Sequence, residues 1–145
     1  MERDAGKRVL EATDLPSDIF LLMETSMDGH AWDLYLCNNT GRDYLVKDGH
    51  SEEFAGSFTL AKGRSRPRPL PTGDMQRIDR GVAYDLDYTG SFIYTVAPAD
   101  APDDTRELHF TRPNYLGFGA GEPMRFGSWE GRAEVIRAWE RPRPA

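Results

Sequence analysis

"DLYLCNNTGRDYLV", Asp33 to Val46, is the stretch whose reading decides the fold. Trp32, Leu34 and Leu36 fall on one side of an extended chain, and Asp33, Tyr35 and Cys37 on the other. A period of two is the mark of a β-strand with two unlike faces. Asn38-Asn39-Thr40-Gly41-Arg42 then supplies turn chemistry. Asn side chains bond their own backbone, and Gly accepts conformations closed to other residues. "DYLVKDG", Asp43 to Gly49, reads as a short return strand. The same stretch holds the one cysteine and the triplet Asn38-Asn39-Thr40, which matches a glycosylation acceptor. Both are assigned to structure: Cys37 as a small, partly buried residue near a strand end, the triplet as a turn.

The pattern repeats outward from there. "SDIFLLMETS" (17–26) reads as a strand, with Asp28-Gly29 after it as a hairpin signal. "SFTLAKG" (57–63), "VAYDLDY" (82–88), "SFIYTVA" (91–97) and "RELHFTR" (106–112) alternate in the same way. "RAEVIRAWE" (132–140) fits a helical stripe through Val135, Ile136 and Trp139, but its β-branched neighbours and the β context favour a strand. Residues 1–14 form a short helix or a flexible N-terminal segment, ended by Pro16. Residues 63–74 are an Arg/Pro-rich loop that holds neither a helix nor a central strand. "PNYLGFGAGEPMRFGSW" (113–129) is broken by Gly and Pro and receives no element.

Short alternating runs separated by turn signals predict an all-β, single-domain antiparallel β-sandwich over residues 1–145. A closed β-barrel is the second choice. The order of the runs resembles immunoglobulin-like sandwiches at the level of fold, which implies no function. Trp32, Leu34, Leu36, Tyr84, Leu86, Phe92, Tyr94, Leu108 and Phe110 are expected to face inward, and each strand is expected to keep one wet face.

A chain of 145 residues suits one domain. With 39% hydrophobic and 29% charged residues it has the composition of a folded soluble protein. No apolar run approaches the roughly 20 residues a membrane helix needs. The start, "MERDAGKRVLEATDLP", lacks the apolar core of a signal peptide. One cysteine fits a reducing compartment, so a cytoplasmic location is expected. The net charge of −6 disfavours nucleic acid and anionic membranes as partners. The charge is zoned: residues 64–80 carry five arginines and two aspartates, and residues 81–105 five aspartates and no base.

No residue set reads as catalytic. His30, His50 and His109 lack the spacing that brings two imidazoles together on one element, so no metal is expected. "DGHSEE" (48–53) is taken as a polar loop. "GFGAGEP" (117–123) lacks the strand–helix context of a phosphate cradle, and no cofactor is expected. Asp85 and Asp87 share a strand face, with Asp100, Asp103 and Asp104 in a nearby loop, and are read as a solvated acidic surface.

These observations lead to a binding or accessory module, leaning away from an enzyme, that engages another macromolecule, foremost a protein. Arg64, Arg66, Arg68 and Arg77 are the expected partner-binding residues, because prolines stiffen their backbone and arginine suits interfaces. Self-association is compatible with this reading. The alternatives are a small-ligand binder or enzyme with a cleft lined by Trp32, Tyr84, Tyr88, Phe92 and Tyr94, and nucleic-acid contact through residues 64–80.

Overall fold

A computed structural model describes residues 8–26, 31–55, 58–65, 67–82, 89–112 and 121–139, with backbone alone for 52–55, 58–65, 82 and 89. Its strands are β1 (Ile19–Thr25), β2 (Ala31–Asn38), β3 (Tyr44–Ala55), β4 (Phe58–Ser65), β5 (Arg68–Leu70), β6 (Met75–Val82), β7 (Thr89–Pro98), β8 (Arg106–Arg112), β9 (Glu122–Phe126) and β10 (Trp129–Arg137). They form two facing antiparallel sheets, the predicted sandwich. Sheet A has the order β6-β2-β1-β10-β9; sheet B has β4-β3-β7-β8, with β5 also pairing β3. Among the described residues the sheets do not close into a barrel, and no helix is long and apolar enough to cross a membrane.

The opening stretch is two strands and a turn, but the turn is a corner between sheets. β2 lies in sheet A and β3 in sheet B. Asn38, fully buried, builds the corner. Its Nδ2 donates to the carbonyls of Arg42 and Leu70, each at 2.8 Å. Its Oδ1 accepts from Thr40 N at 3.0 Å and Thr40 Oγ1 at 2.8 Å. Gly41 takes φ +84°, where a side chain would be strained. Asn39 Nδ2 donates to the carbonyls of Ala12 and Pro16 and so pins the N-terminal segment.

Leu21, Leu34, Leu36, Val46, Phe92, Tyr94, Val96, Leu108 and Phe110 meet between the sheets. Every described residue of the expected inward set is buried there; Tyr84 and Leu86 lie outside the described residues. The expectation of one wet face fails for β1. Ile19 to Met23 are all buried, because Phe20 and Leu22 pack outward against Leu15, Phe126 and Ala133. The segment before β1 covers that face. It holds a 3-10 turn (Ala12–Asp14), and Leu10 bonds the β9 edge through Pro123 O and Arg125 N.

Four other expectations are corrected. "DGHSEE" is part of β3 and not a loop. The Arg/Pro loop is in large part strand: β4 runs to Ser65 and β5 pairs Val46, Leu45 and Tyr44. Prolines are tolerated there because β4 and β5 lie on the outer side of β3, where a missing N–H breaks no inner ladder. β6 received no strand from the sequence. It pairs β2 with a register shift at Leu34/Tyr35, and Ile78 is its extra residue, so its apolar positions do not alternate cleanly. β9 also received none; Gly127 and Ser128 are the two-residue turn joining it to β10.

The two seams between the sheets are tied differently. Arg68 Nε of β5 donates to Gln76 of β6, and Gln76 Nε2 donates to Pro69 O at 2.8 Å. On the other side His109 of β8 and Trp139 exchange backbone bonds of 3.1 and 2.9 Å, and their rings stack at 4.6 Å. His109, on the face expected to be wet, is thereby buried.

Candidate functional site

The outer face of sheet A carries the most organised surface among the described residues. Phe20, Leu22 and Glu24 point outward from β1, because alternate residues share a face. The first two are covered by Leu15 of the N-terminal segment and by Met124 and Phe126 of β9; Glu24 is not. Register places Asp33 of β2 beside Glu24 on one flank and Ala133 of β10 on the other. Ala133 in turn pairs with Glu122 of β9. The β9–β10 hairpin does not continue the sheet flat beyond Ala133: its Phe126 ring packs on Phe20 at 5.8 Å, and its turn at Gly127 meets Gly73.

Two aromatic side chains close on Glu24. Trp129 starts β10 and leans back over Gly131. Tyr35 follows Asp33 by two residues on the same face, and the two ring centroids are 6.3 Å apart. The indole N–H and the phenol O–H both favour the charged form of the nearby Glu24 carboxylate. Gly131 makes this approach feasible. A Cβ there would lie 2.5 Å from Glu24 Oε2 and 2.8 Å from Trp129 Cζ2, so any side chain would push the cluster apart. Arg77 of β6, registered with Tyr35, lies 3.8 Å from Asp33 with its side chain 51% exposed.

The electrostatics follow from this packing. Burial raises the Glu24 pKa, and the nearby Asp33 charge raises it further; the Trp129 and Tyr35 donors oppose the rise. The Tyr35 phenol is raised by burial and by the Asp33 and Glu24 charges, with Arg77 opposing. Glu24 binds its proton more tightly in the folded state than in the unfolded one. Its stabilising contribution is thus full below its ordinary value of 4.5 and disappears as pH rises through the higher folded value. We expect the Glu24 carboxyl ¹³C resonance to titrate with a midpoint above 4.5. Asp33→Asn should lower that midpoint and Trp129→Phe should raise it. A midpoint at or below 4.5 in the parent would contradict the packing described.

Beside the cluster, Gly121, Glu122, Met124, Ala133, Glu134 and Val135 line a shallow groove of about 340 Å3. Its floor is apolar and one edge is acidic. The arrangement suits an amphipathic group with one apolar side and one polar end.

The expected site residues fare differently. Arg77 belongs to this surface. Arg68 is half-buried; besides Gln76 it bonds the Tyr94 phenol, whose pKa burial pushes up to about 12. Arg64 lies on β4, where the backbone alone is described, and Arg66 lies outside the described residues. The structure therefore does not gather the four arginines on one described patch. Arg68→Ala should destabilise the domain by about 1–2 kcal/mol, since it strips a buried phenol and Gln76 of a charged partner. Chemical denaturation reads this directly; an unchanged midpoint would show that Arg68 is a surface residue after all.

Cys37 is fully buried, and burial foremost, with the charge of Asp74 second, holds its thiol far above the usual range, away from nucleophilic use. Asn38, the acceptor of the glycosylation triplet, has its amide committed to the corner. His109 Nε2 lies 2.6 Å from Glu107; His30 is outside the described residues. No group of three or more metal-ligating side chains occurs among the described residues. Trp32, Phe92 and Tyr94 are packed in the core and do not line a cleft; Tyr84 and Tyr88 lie outside the described residues. So do Asp85 and Asp87, while Asp100 pairs with Arg42 at 2.7 Å.

Glu24, Tyr35, Trp129 and Gly131 were not singled out by the sequence. The one local signal is Glu24, a charge in the outward phase of an otherwise apolar strand. The chain matches no protein-family model, no curated protein and no solved structure.

Proposed function

We propose that this protein is a binding module that engages another protein through the outer face of sheet A, around Tyr35, Trp129 and Arg77. One observation carries the reading: two aromatic rings are fixed against a half-buried carboxylate on a regular sheet, with an arginine at the rim. Tyr, Trp and Arg dominate interface energetics because they bring large contact area and directed donors. Rings held by neighbours lose little rotamer freedom on docking, which favours affinity. The cytoplasmic location expected from the sequence stays part of this proposal, supported by the single thiol being free and buried.

The test is affinity capture from the native cell with the parent and two variants. Tyr35→Ala with Trp129→Ala removes the rings. Gly131→Val keeps them but drives a side chain between Glu24 and the Trp129 ring, both of which must shift, so its circular dichroism and denaturation midpoint are measured alongside capture. The parent should retain one protein in near-equimolar amount, and both variants should lose it with their circular dichroism unchanged. Undiminished capture by folded Gly131→Val would overturn the reading. Loss of capture with Arg64→Ala and Arg66→Ala alone would move the surface to the β4–β5 edge.

A further inference from the structure

Residues 8–16, before β1, lay two apolar side chains, Leu10 and Leu15, on the cluster outside sheet A, and none of them belongs to the core between the sheets. The segment is tied at two places. At one end Leu10 makes a single parallel bridge to β9: its N–H donates to Pro123 O at 3.0 Å, and its carbonyl accepts from Arg125 N at 2.8 Å. Glu11 beside it pairs with the Arg125 guanidinium at 2.8 Å. At the other end Asn39 Nδ2 donates to the carbonyls of Ala12 and Pro16 at 2.8 and 3.0 Å. Between these ties the segment braces itself. Arg8 donates to both carboxylate oxygens of Asp14 at 2.6 and 3.0 Å, and the Asp14 side chain accepts from Glu11 N at 2.9 Å. The two sheet ladders contain none of these residues.

We propose that residues 8–16 are a strap that lifts from sheet A as one unit while both sheets stay folded, baring the outer edge of β9 and the seat of Leu15. A segment held by few apolar contacts and by hydrogen bonds open to water separates at a lower free energy than the whole domain unfolds. The strap is such a segment: Leu15 alone is buried, and Glu11 to Asp14 are exposed. Its internal bonds between Arg8, Glu11 and Asp14 survive lifting, whereas the ties to β9 and Asn39 break together. Release leaves Pro123 O and Arg125 N on the edge of β9 without their Leu10 partners, and a bare strand edge is a template for another strand. Tyr35 and Trp129 pack on the same cluster as Leu15, so lifting also extends the apolar face beside them. The opening does not depend on whether that face binds a protein.

Amide hydrogen exchange of the full chain tests this, at a pH where reclosing outruns exchange. The N–H groups of Leu10 and Arg125 report the strap, and that of Leu21, on a strand paired on both sides, reports the sandwich. In the parent, Leu10 and Arg125 should share one protection factor, roughly a hundredfold or more below that of Leu21. Low urea should speed Leu21 steeply and the other two weakly, because lifting the strap exposes little surface. Val96→Ala, in the core between the sheets, weakens the closed and lifted states alike, so it should speed Leu21 and leave Leu10 and Arg125 unchanged. Asn39→Ala weakens only the closed state. It should speed Leu10 and Arg125 together by roughly tenfold, although it cuts the tie at the far end of the strap. Acceleration of all three amides alike by urea or by Val96→Ala would overturn the proposal, since strap and sandwich would then open only together. Leu10 and Arg125 unmoved by Asn39→Ala would overturn it as well, since the two ends would then lift separately.

Discussion

Trp32→Ala should remove about 3–5 kcal/mol of stability, a large fraction of what a domain of this size holds. The ring is 2% exposed and packs in the core between the sheets. Truncation leaves a cavity the sandwich cannot collapse into, since both sheets are held by their own ladders. A second effect adds to the first. The guanidinium of Arg112, fully buried at the end of β8, lies 5.0 Å from the Trp32 ring centroid. A buried cation that loses an aromatic neighbour loses attraction it cannot regain from water. Gly90 of β7 fits the same arrangement, since a Cβ there would stand 3.0 Å from Arg112 Nε. Trp32→Phe keeps a ring and should cost about 1–2 kcal/mol. Urea unfolding of Trp32→Phe, Arg112→Met and the double variant should show a coupling of about 0.5–1 kcal/mol between the two sites. Additive losses would mean that the cation and the ring do not act on one another.

Asn38→Ala should cost about 2–4 kcal/mol, the second largest effect expected. The amide group makes four hydrogen bonds that hold the corner between the sheets. Removing it leaves the Leu70 carbonyl without that buried donor, which costs about 1–3 kcal/mol by itself. The Thr40 bonds and the geometry of the corner account for the rest. Asn38→Asp is the sharper variant. It keeps the acceptor for Thr40 but replaces the donor by a carboxylate oxygen facing two carbonyls. It should be at least as damaging as alanine at neutral pH and recover part of the loss on acidification, when the carboxyl gains a proton to donate. An aspartate variant as stable as the parent would show that the Nδ2 bonds to Arg42 and Leu70 are not what holds the corner.

The same residues show what local sequence can specify. Alternation is a property of neighbours two apart, so Trp32, Leu34 and Leu36 declare a strand and its inward face with no knowledge of the partner strand. The same holds for Phe92 and Tyr94, and for Leu108 and Phe110. Asn38 to Gly41 declare a turn because their side chains and backbone make one locally. These features determined the all-β class, the core and the refusal of Cys37 and the Asn38 triplet as chemistry.

Only the tertiary structure decided which strands pair, because a strand's hydrogen-bonding edges look alike whatever its sequence. β2 and β3 read as a hairpin and lie in different sheets. β6 hides its alternation behind the extra residue at Ile78. The expected wet face of β1 is dry because Leu10 and Leu15 arrive from the preceding segment and Met124 and Phe126 from β9. Arg68 is drawn from the expected surface by Gln76 and Tyr94, two partners that no local rule connects to it. The candidate site has the same origin. Glu24 and Trp129 stand near opposite ends of the chain, and β10 brings them together by pairing with β1 across the middle of sheet A. That pairing sets the half-buried carboxylate under the ring, and sequence periodicity does not encode it.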